Sequence, residues 1–219
     1  MARALVLDLD DTLVAASGAM RRAERILLEL GVDREQWKTT FRQWWGRFEA
    51  GEVPASEMRY ARWADLGLTG EAGVAADMAW RRVAFAGRLR NGARVLLRDA
   101  RRTGFRLAIL TNGTIDPQRL TIARTGLLDL VDGAIVTEEL GLHKPHPEPF
   151  RRAAALVGAA PTEATMVGDT FSTDIVGALS AGFCRAVWVT RHRRAPHSDP
   201  RVVLVRRLDE VLAAVSSPS

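Results

Sequence analysis

The chain opens with an uninterrupted apolar run from Ala4 to Leu7 that leads directly into acidic residues. A short run rich in leucine and valine is typical of a strand buried on both faces of a parallel sheet that helices cover. Asp8, Asp10 and Asp11 then follow with almost no spacing. Because ligands of open α/β sheets bind at the carboxyl ends of strands, the pattern predicts an acidic, metal-seeking site there.

Between residues 18 and 88 the apolar positions recur at helical spacing, and no strand pattern interrupts them. The periodicity and the breaks at glycine and proline predict helices over 20–30, 34–50, 56–66 and 73–87. We therefore expect a compact all-helical block over 16–90, inserted directly after the acidic strand.

From residue 91 onward, apolar runs alternate with helical patterns. The runs predict strands over 106–110, 133–136, 164–167, 186–189 and 202–205. The segments between them predict helices over 93–102, 117–125, 149–157 and 172–181, with a last helix near the C-terminus. This alternation indicates an α/β fold with a doubly wound parallel sheet, built from residues 1–15 and 91–219.

The composition indicates an ordinary globular protein but does not identify its binding partner. The 219 residues are 47% hydrophobic and 26% charged, an ordinary globular balance, and 31 basic against 26 acidic side chains give +5. This balance suits anionic partners. The single Cys184 excludes an intrachain disulfide, and no apolar run approaches the ~20 residues of a membrane span. With no leader before the first strand, we expect a soluble cytoplasmic protein.

Polar residues recur where successive strands end, and they suit phosphoryl transfer: Asp8, Asp10, Thr111, Lys144, Asp169 and Asp174. Asp8 is placed to attack phosphorus and form an aspartyl-phosphate. Asp10 is placed to protonate the leaving alkoxide and then to activate water, provided that the chain turns just beyond Leu9.

The remaining polar residues at the strand ends suit a metal and a phosphate group. We expect Asp8 and Asp169 to hold Mg²⁺, a hard cation that prefers carboxylate oxygens. Thr111 and the backbone N–H of Asn112 are expected to bind phosphate oxygens. Lys144 is expected to neutralise the charge of the transition state.

The chain resembles the haloacid dehalogenase-like hydrolase superfamily through four motifs in order. They are Asp-x-Asp-x-Thr at 8–12, a strand ending in threonine at 110–113, a lysine before proline at 143–150, and Gly-Asp with a second aspartate at 168–174. This resemblance implies a Rossmann-like core in which the 16–90 block is a mobile cap. It also implies that Asp8 is the nucleophile and Asp10 the acid/base.

In this family the Mg²⁺ would be held by Asp8, the main-chain carbonyl of Asp10, and Asp169. Asp174 would support the metal's water shell or Lys144. An acid at position 10 argues against dehalogenase chemistry. The tract over 118–141 is similar to the branch of pyrimidine-type nucleotidases and N-acylneuraminate-9-phosphatases. Together these features predict a Mg²⁺-dependent phosphatase acting on a small phosphorylated metabolite of the nucleotide or sugar phosphate type.

Other functions remain open from the sequence alone. A phosphomutase of the same family would need a cap that excludes water. A receiver-type phospho-acceptor also uses clustered acids, a threonine and a Lys-Pro, but the helical insert and the Gly168 to Asp174 motif argue against it. A catalytically silent binding protein would usually lack one of the acids. The spacing of the histidines and Cys184 fits no zinc site. Nucleic-acid binding by the arginine-rich stretch over 81–106 would need a continuous basic face with aromatic stacking partners, and we expect an ordinary arginine-rich surface there instead. We expect a monomer or homodimer.

Overall fold

The computed structural model describes residues 3–190 and 199–216, and it divides the chain into two compact units. One unit holds the start of the chain up to Ala15 together with the chain from Arg88 onward, and the other holds Ala16–Gly87. Residues 88–90, which the sequence pattern had assigned to the helical block, lie with the first unit. The reason is local pairing, because Ala15 N donates to Arg88 O and Arg90 N donates to Leu13 O, each at 2.8 Å.

The first unit is built on a parallel sheet with strands β1 (Ala4–Leu7), β2 (Arg106–Thr111), β3 (Gly133–Val136), β4 (Ala164–Gly168), β5 (Arg185–Val189) and β6 (Val202–Val205). Their order across the sheet is β3-β2-β1-β4-β5-β6. The doubly wound parallel sheet predicted from the sequence is confirmed.

Strand β1 lies at the centre of the sheet, between β2 and β4. Its four residues are fully buried, as the apolar run predicts. Leu5 and Leu7 pack into the cluster on one face of the sheet, while Ala4 and Val6 pack into the cluster on the other. This strand therefore holds the residue that follows it, Asp8, at the middle of the sheet's carboxyl edge.

The second unit is helical, with α1 (Ala16–Glu29), α2 (Arg34–Glu49), α3 (Ala55–Ala64) and α4 (Gly70–Ala84). Helix α1 begins at Ala16, four residues before the predicted start at residue 20. The pattern missed this first turn because residues 16–19 are small and show no apolar periodicity. Helix α3 begins after Pro54, so the predicted start at Ser56 is wrong. A cluster of buried apolar and aromatic side chains, including Trp37, Trp63 and Trp80, forms the core of the unit.

A buried ion pair stands inside this aromatic core. Arg62 Nη2 donates to Asp77 Oδ1 at 2.8 Å, and the two side chains are 5% and 3% exposed. Trp63 Nε1 donates to the same oxygen at 3.0 Å, and the Arg62 guanidinium lies 4.8 Å from the Trp80 ring centre. Burial lowers the pKa of Arg62, and the Asp77 carboxylate opposes that effect. The pair therefore depends on the full charge of Asp77 to offset the desolvation of Arg62.

Asp77→Asn is expected to lower the free energy of unfolding by about 1.5–3 kcal/mol, because the amide keeps an acceptor but loses the charge. Urea unfolding followed by tryptophan fluorescence measures it, since five of the six tryptophans lie in residues 16–87. Asp65→Asn is the matched control, because Asp65 accepts from Trp44 Nε1 at 2.7 Å but is exposed. Equal losses in the two variants would contradict a special role for the buried pair.

Helices cover both faces of the sheet in the first unit. They are α5 (Ala93–Arg102), α6 (Ile115–Arg124), α7 (Pro147–Leu156), α8 (Val176–Ser180) and α9 (Val211–Ser216). Residues of α5, α6 and α9 join the cluster that holds Leu5 and Leu7, whereas residues of α7 and α8 join the opposite cluster. None of the helices within the described ranges has the length and apolar composition to cross a bilayer.

The helix predicted over 172–181 differs from the structure at its start. Residues Phe171–Ile175 form a wider π turn, and the regular α-helix covers only Val176–Ser180. Within the turn, Asp174 N donates to Thr170 O and Asp174 Oδ2 accepts from Thr170 N. The first of these bonds spans four residues, as in an α-helix, whereas Val176 N donates to Phe171 O, five residues back, which widens the turn. Such π turns are frequent at functional sites.

Candidate active site

The chain leaves the sheet just after β1 and turns sharply. Asp8 N donates to Val167 O at 2.9 Å, which extends the pairing with β4 by one residue. Leu13 N and Val14 N then both donate to Leu9 O, at 2.9 and 2.8 Å. The turn beyond Leu9 that the sequence predicts is confirmed, and it frees Asp10 from the strict alternation of a strand.

Asp11 lies inside this turn with φ = 56°, in the left-handed region. Aspartate tolerates this conformation better than most residues because its short polar side chain can make local hydrogen bonds. Arg90 donates a hydrogen bond to Asp11 O and so fixes the turn from outside. The local sequence thus suits the turn that follows Asp10.

A buried lysine joins two of the acids at the sheet edge. Lys144 Nζ lies 2.7 Å from Asp8 Oδ1 and 2.7 Å from Asp174 Oδ1, and the three side chains are at most 8% exposed. Burial alone would lower the pKa of Lys144, but the Asp174 and Asp8 carboxylates raise it, so the ammonium stays charged. Burial raises the pKa of Asp8, and Lys144 opposes that effect. The lysine therefore supports the ionised form of Asp8.

Asp174 reaches this cluster because β4 ends in glycine. A Cβ on Gly168 would lie 2.4 Å from Asp174 Oδ2 and 2.5 Å from its Cβ, too close for any side chain. Asp174 is 1% exposed, and its Oδ2 accepts from Thr170 N at 3.0 Å while its Oδ1 accepts from Lys144. Both oxygens of this carboxylate are thus held by hydrogen-bond donors.

Asp8, Asp169 and Asp174 together could hold a cation. Each offers a carboxylate oxygen, and these atoms all lie within 4.8 Å of one another. Oxygen ligands around an octahedral Mg²⁺, bound at about 2.1 Å, lie about 3 Å apart when adjacent and about 4.2 Å apart when opposite. The spacing and the all-oxygen donor set therefore fit a hard divalent cation.

A hydrogen bond to its backbone carbonyl holds Asp169 at this site, and burial together with the neighbouring acids raises the pKa of its carboxyl group. Trp188 Nε1, on β5, donates to Asp169 O at 2.7 Å. Burial raises the pKa of Asp169 to about 6, and the charges of Asp174 and Asp11 add to the effect. Carboxylates gathered at this density favour a compensating cation.

The loop that carries Lys144 is bound to the end of β2 by one side chain. Asn112 Nδ2 donates to Lys144 O at 2.9 Å, and Lys144 N donates to Asn112 Oδ1 at 2.8 Å. Sequence reasoning predicted a role for the backbone N–H of Asn112 but missed this use of its side chain. Thr111 precedes it at the end of β2, next to β1, and is 1% exposed.

Asp10 contacts a residue that the sequence analysis did not assign to the site. Gln118, on α6, donates from Nε2 to Asp10 Oδ2 at 2.6 Å. Burial raises the pKa of Asp10, and the hydrogen bond from Gln118 opposes that effect. A polar residue in the first turn of a helix is typical of an exposed position, so no sequence signal marked Gln118.

The structure brings the sequence-predicted residues to one edge of the sheet. Asp8, Lys144 and Asp174 form a buried cluster, and the half-buried Asp169 lies beside it. Thr111 and Asn112 end the strand beside β1, and Asp10 lies in the turn after it.

Comparisons of the sequence and of the fold with known proteins agree on one family. The sequence model described as haloacid dehalogenase-like hydrolase matches residues 2–182. The phosphoserine phosphatase of Thermus thermophilus is 44% identical over 110 residues, which span 49% of this chain and 44% of that protein. The chain thus matches less than half the length of that relative.

Two further relatives match over most of both chains. The human N-acylneuraminate-9-phosphatase is 26% identical over 89% of this chain and 85% of its own length. The pyrimidine 5'-nucleotidase YjjG of Escherichia coli is 28% identical over 87% of each. Among solved structures, the magnesium-bound HAD-hydrolase YfnB of Bacillus subtilis superposes with a TM-score of 0.76 at 24% identity, covering 99% of both chains.

Proposed function

The chain belongs to the haloacid dehalogenase-like hydrolases, and on that premise we propose that it is a Mg²⁺-dependent phosphatase that forms a phospho-Asp8 intermediate. The observation that carries the proposal is the buried contact of Asp8 with Lys144 at 2.7 Å, beside the carboxylates of Asp169 and Asp174. Such a site combines an ionised nucleophile with a fixed positive charge and a place for a cation. These are the parts that a phosphate monoester, itself an anion, requires.

The proposed metal ligands are Asp8, Asp169 and the main-chain carbonyl of Asp10. Asp174 belongs to the same group of acids, but Thr170 and Lys144 hold its two oxygens. We therefore assign Asp174 to the water shell of the ion and to the orientation of Lys144. When bound, the ion supplies positive charge that offsets the charge of the phosphoryl group.

Two carboxylates divide the chemistry between them. A carboxylate oxygen of Asp8 attacks phosphorus, the bond from phosphorus to the leaving oxygen breaks, and Asp10 gives its proton to that oxygen. Asp10, now ionised, then takes a proton from the water that attacks the phospho-aspartate. Inorganic phosphate leaves, and the Asp8 carboxylate and the protonated Asp10 are restored.

The phosphoryl group is proposed to be held by Thr111, the backbone N–H of Asn112 and Lys144. Thr111 and Lys144 are 1% and 4% exposed, so their donors act in a largely water-free environment. Fixed donors in such an environment stabilise developing charge more strongly than donors in water do. Because Asn112 also fixes the Lys144 backbone, phosphate binding and lysine position are linked.

The proposed substrate is a small phosphorylated metabolite of the nucleotide or sugar phosphate type. Support comes from the similarity to the N-acylneuraminate-9-phosphatase and the pyrimidine 5'-nucleotidase, which match across most of this chain. The presence of Asp10 favours phosphatase over dehalogenase chemistry, because a leaving alkoxide needs a proton and a halide does not.

Phosphate release from a panel of phosphomonoesters tests the proposal. The panel holds aryl phosphates, nucleoside monophosphates, hexose and triose phosphates, phosphoserine and a sialic acid phosphate. We expect release with Mg²⁺, loss to background with EDTA, and recovery when Mg²⁺ is restored in excess. Release that resists EDTA would contradict the metal requirement. A folded, Mg²⁺-loaded protein that hydrolyses none of the esters in the panel would contradict the phosphatase function.

A further inference from the structure

We propose that Gln118 is a positioning residue that fixes which carboxyl oxygen of Asp10 carries the proton for the leaving group, an inference that rests on the proposed phosphatase function. Gln118 Nε2 lies 2.6 Å from Asp10 Oδ2, a short contact for a hydrogen bond between an amide and a carboxyl group. The Gln118 side chain is 4% exposed, so water competes little for this bond.

The loop before α6 is built around the Gln118 side chain. A Cβ on Gly113 would lie 2.6 Å from Gln118 Nε2 and 2.7 Å from its Cγ, so any larger residue at position 113 would displace the amide. Gln118 Nε2 also lies 3.4 Å from Asn112 O, on the same loop. The glycine therefore leaves the space that allows Gln118 to reach Asp10.

One half of the Gln118 amide is in an unfavourable environment, which packing alone does not explain. Gln118 Oε1 is buried and finds no hydrogen-bond partner within residues 3–190 and 199–216. A buried, unpaired carbonyl oxygen is unfavourable, and an apolar side chain of similar size would avoid it. The reason for an amide at this position is therefore its N–H group, which donates a hydrogen bond to Asp10.

An amide N–H can only donate, and this fixes the arrangement of Asp10. Because Oδ2 accepts from Nε2, a proton on Asp10 resides on Oδ1. The carboxyl group is thereby held in one orientation, with its acidic oxygen defined, before the substrate is protonated. Without Gln118 the proton is shared between two oxygens of a carboxyl group that rotates more freely, and transfer to the leaving oxygen loses its alignment.

This role has a signature that depends on the leaving group. A weakly acidic leaving group needs the proton of Asp10, whereas a strongly acidic one departs without it. Phenyl phosphate releases a phenol with a pKa of about 10, as for tyrosine, and 4-nitrophenyl phosphate releases a much stronger acid of nearly the same shape. The two esters therefore separate proton delivery from binding and from the integrity of the site.

The test compares kcat/KM of wild type and Gln118→Met for the two esters with saturating Mg²⁺. General acid catalysis contributes about 10²–10⁴-fold, so we expect Gln118→Met to lose roughly 10–100-fold on phenyl phosphate and less than about threefold on 4-nitrophenyl phosphate. Because both rates come from one protein sample, their ratio does not depend on the fraction that folds. Thr121→Val is the matched control, since Thr121 is a buried residue on the same helix.

We expect Thr121→Val to leave the ratio of the two rates unchanged. Equal losses of Gln118→Met on both esters would assign Gln118 a structural role only, and no loss on either would remove it from the site. Wild-type protein that hydrolyses neither ester would also overturn the inference. The phosphomonoester panel decides the proposed function separately, because it also holds nucleoside monophosphates, sugar phosphates and phosphoserine, which do not enter this comparison.

Discussion

Asp8→Asn is expected to reduce phosphate release by at least about 10⁴-fold, because an amide cannot act as the carboxylate nucleophile and no second attack route is at hand. The side chain keeps its shape, and its oxygen can still accept the hydrogen bond from Lys144 Nζ. The protein is therefore expected to fold. Phosphate release with Mg²⁺ on the best panel substrate, beside the far-ultraviolet circular dichroism of both proteins, makes the comparison.

Asp11→Asn is the matched control for that prediction, since it is the same chemical change in the same turn. Asparagine also tolerates the left-handed conformation found at position 11, where φ is 56°. Because Asp11 has no assigned role in the chemistry, we expect activity within roughly tenfold of wild type, the change arising from a weak charge effect. Similar losses in both variants would contradict the assignment of Asp8 as nucleophile.

Lys144→Met is expected to remove activity and also to lower the free energy of unfolding by about 3–5 kcal/mol. Removing the ammonium leaves Asp8 and Asp174 buried without the cation that each contacts at 2.7 Å. Methionine has a similar length, so the change is one of charge more than of volume. Urea unfolding without Mg²⁺ measures the loss of stability, and the phosphate assay measures the loss of turnover.

The chain offers an internal control, because Lys38 is its only other lysine. Lys38 contacts Glu35 at 2.7 Å on the surface of α2, where water screens the pair. Lys38→Met is expected to change neither stability nor activity by a measurable amount. A Lys144→Met protein as stable as Lys38→Met would contradict the account of the buried cluster.

The strands and most of the acidic cluster were predictable from the sequence for the same physical reason. A strand buried on both faces is a run of apolar residues, so β1 and its neighbours are visible as patterns. Parallel strands end at one edge of the sheet, so the pattern alone is enough to place Asp8, Thr111 and Asp169 together. Lys144 and Asp174 followed from their motifs.

The contacts that orient these groups could not be predicted from periodicity. Gln118 lies in the first turn of a helix, where polar residues are ordinary, and only the absence of a side chain at Gly113 lets it reach Asp10. The clamp between Asn112 and the Lys144 backbone joins segments 32 residues apart. The widened turn before α8, in which Val176 N donates to Phe171 O five residues back, is likewise not encoded by a pattern of apolar positions.

Trapping the covalent intermediate tests the central claim most directly. The protein is mixed with substrate and Mg²⁺, quenched in acid within the first turnover, and reduced with borohydride, which converts an aspartyl-phosphate to homoserine. Peptide mass spectrometry then locates the change. The account predicts homoserine at position 8, formed only with Mg²⁺ and substrate and lost in Asp8→Asn. Steady turnover with no modification at position 8, or with modification at another carboxylate, would contradict it.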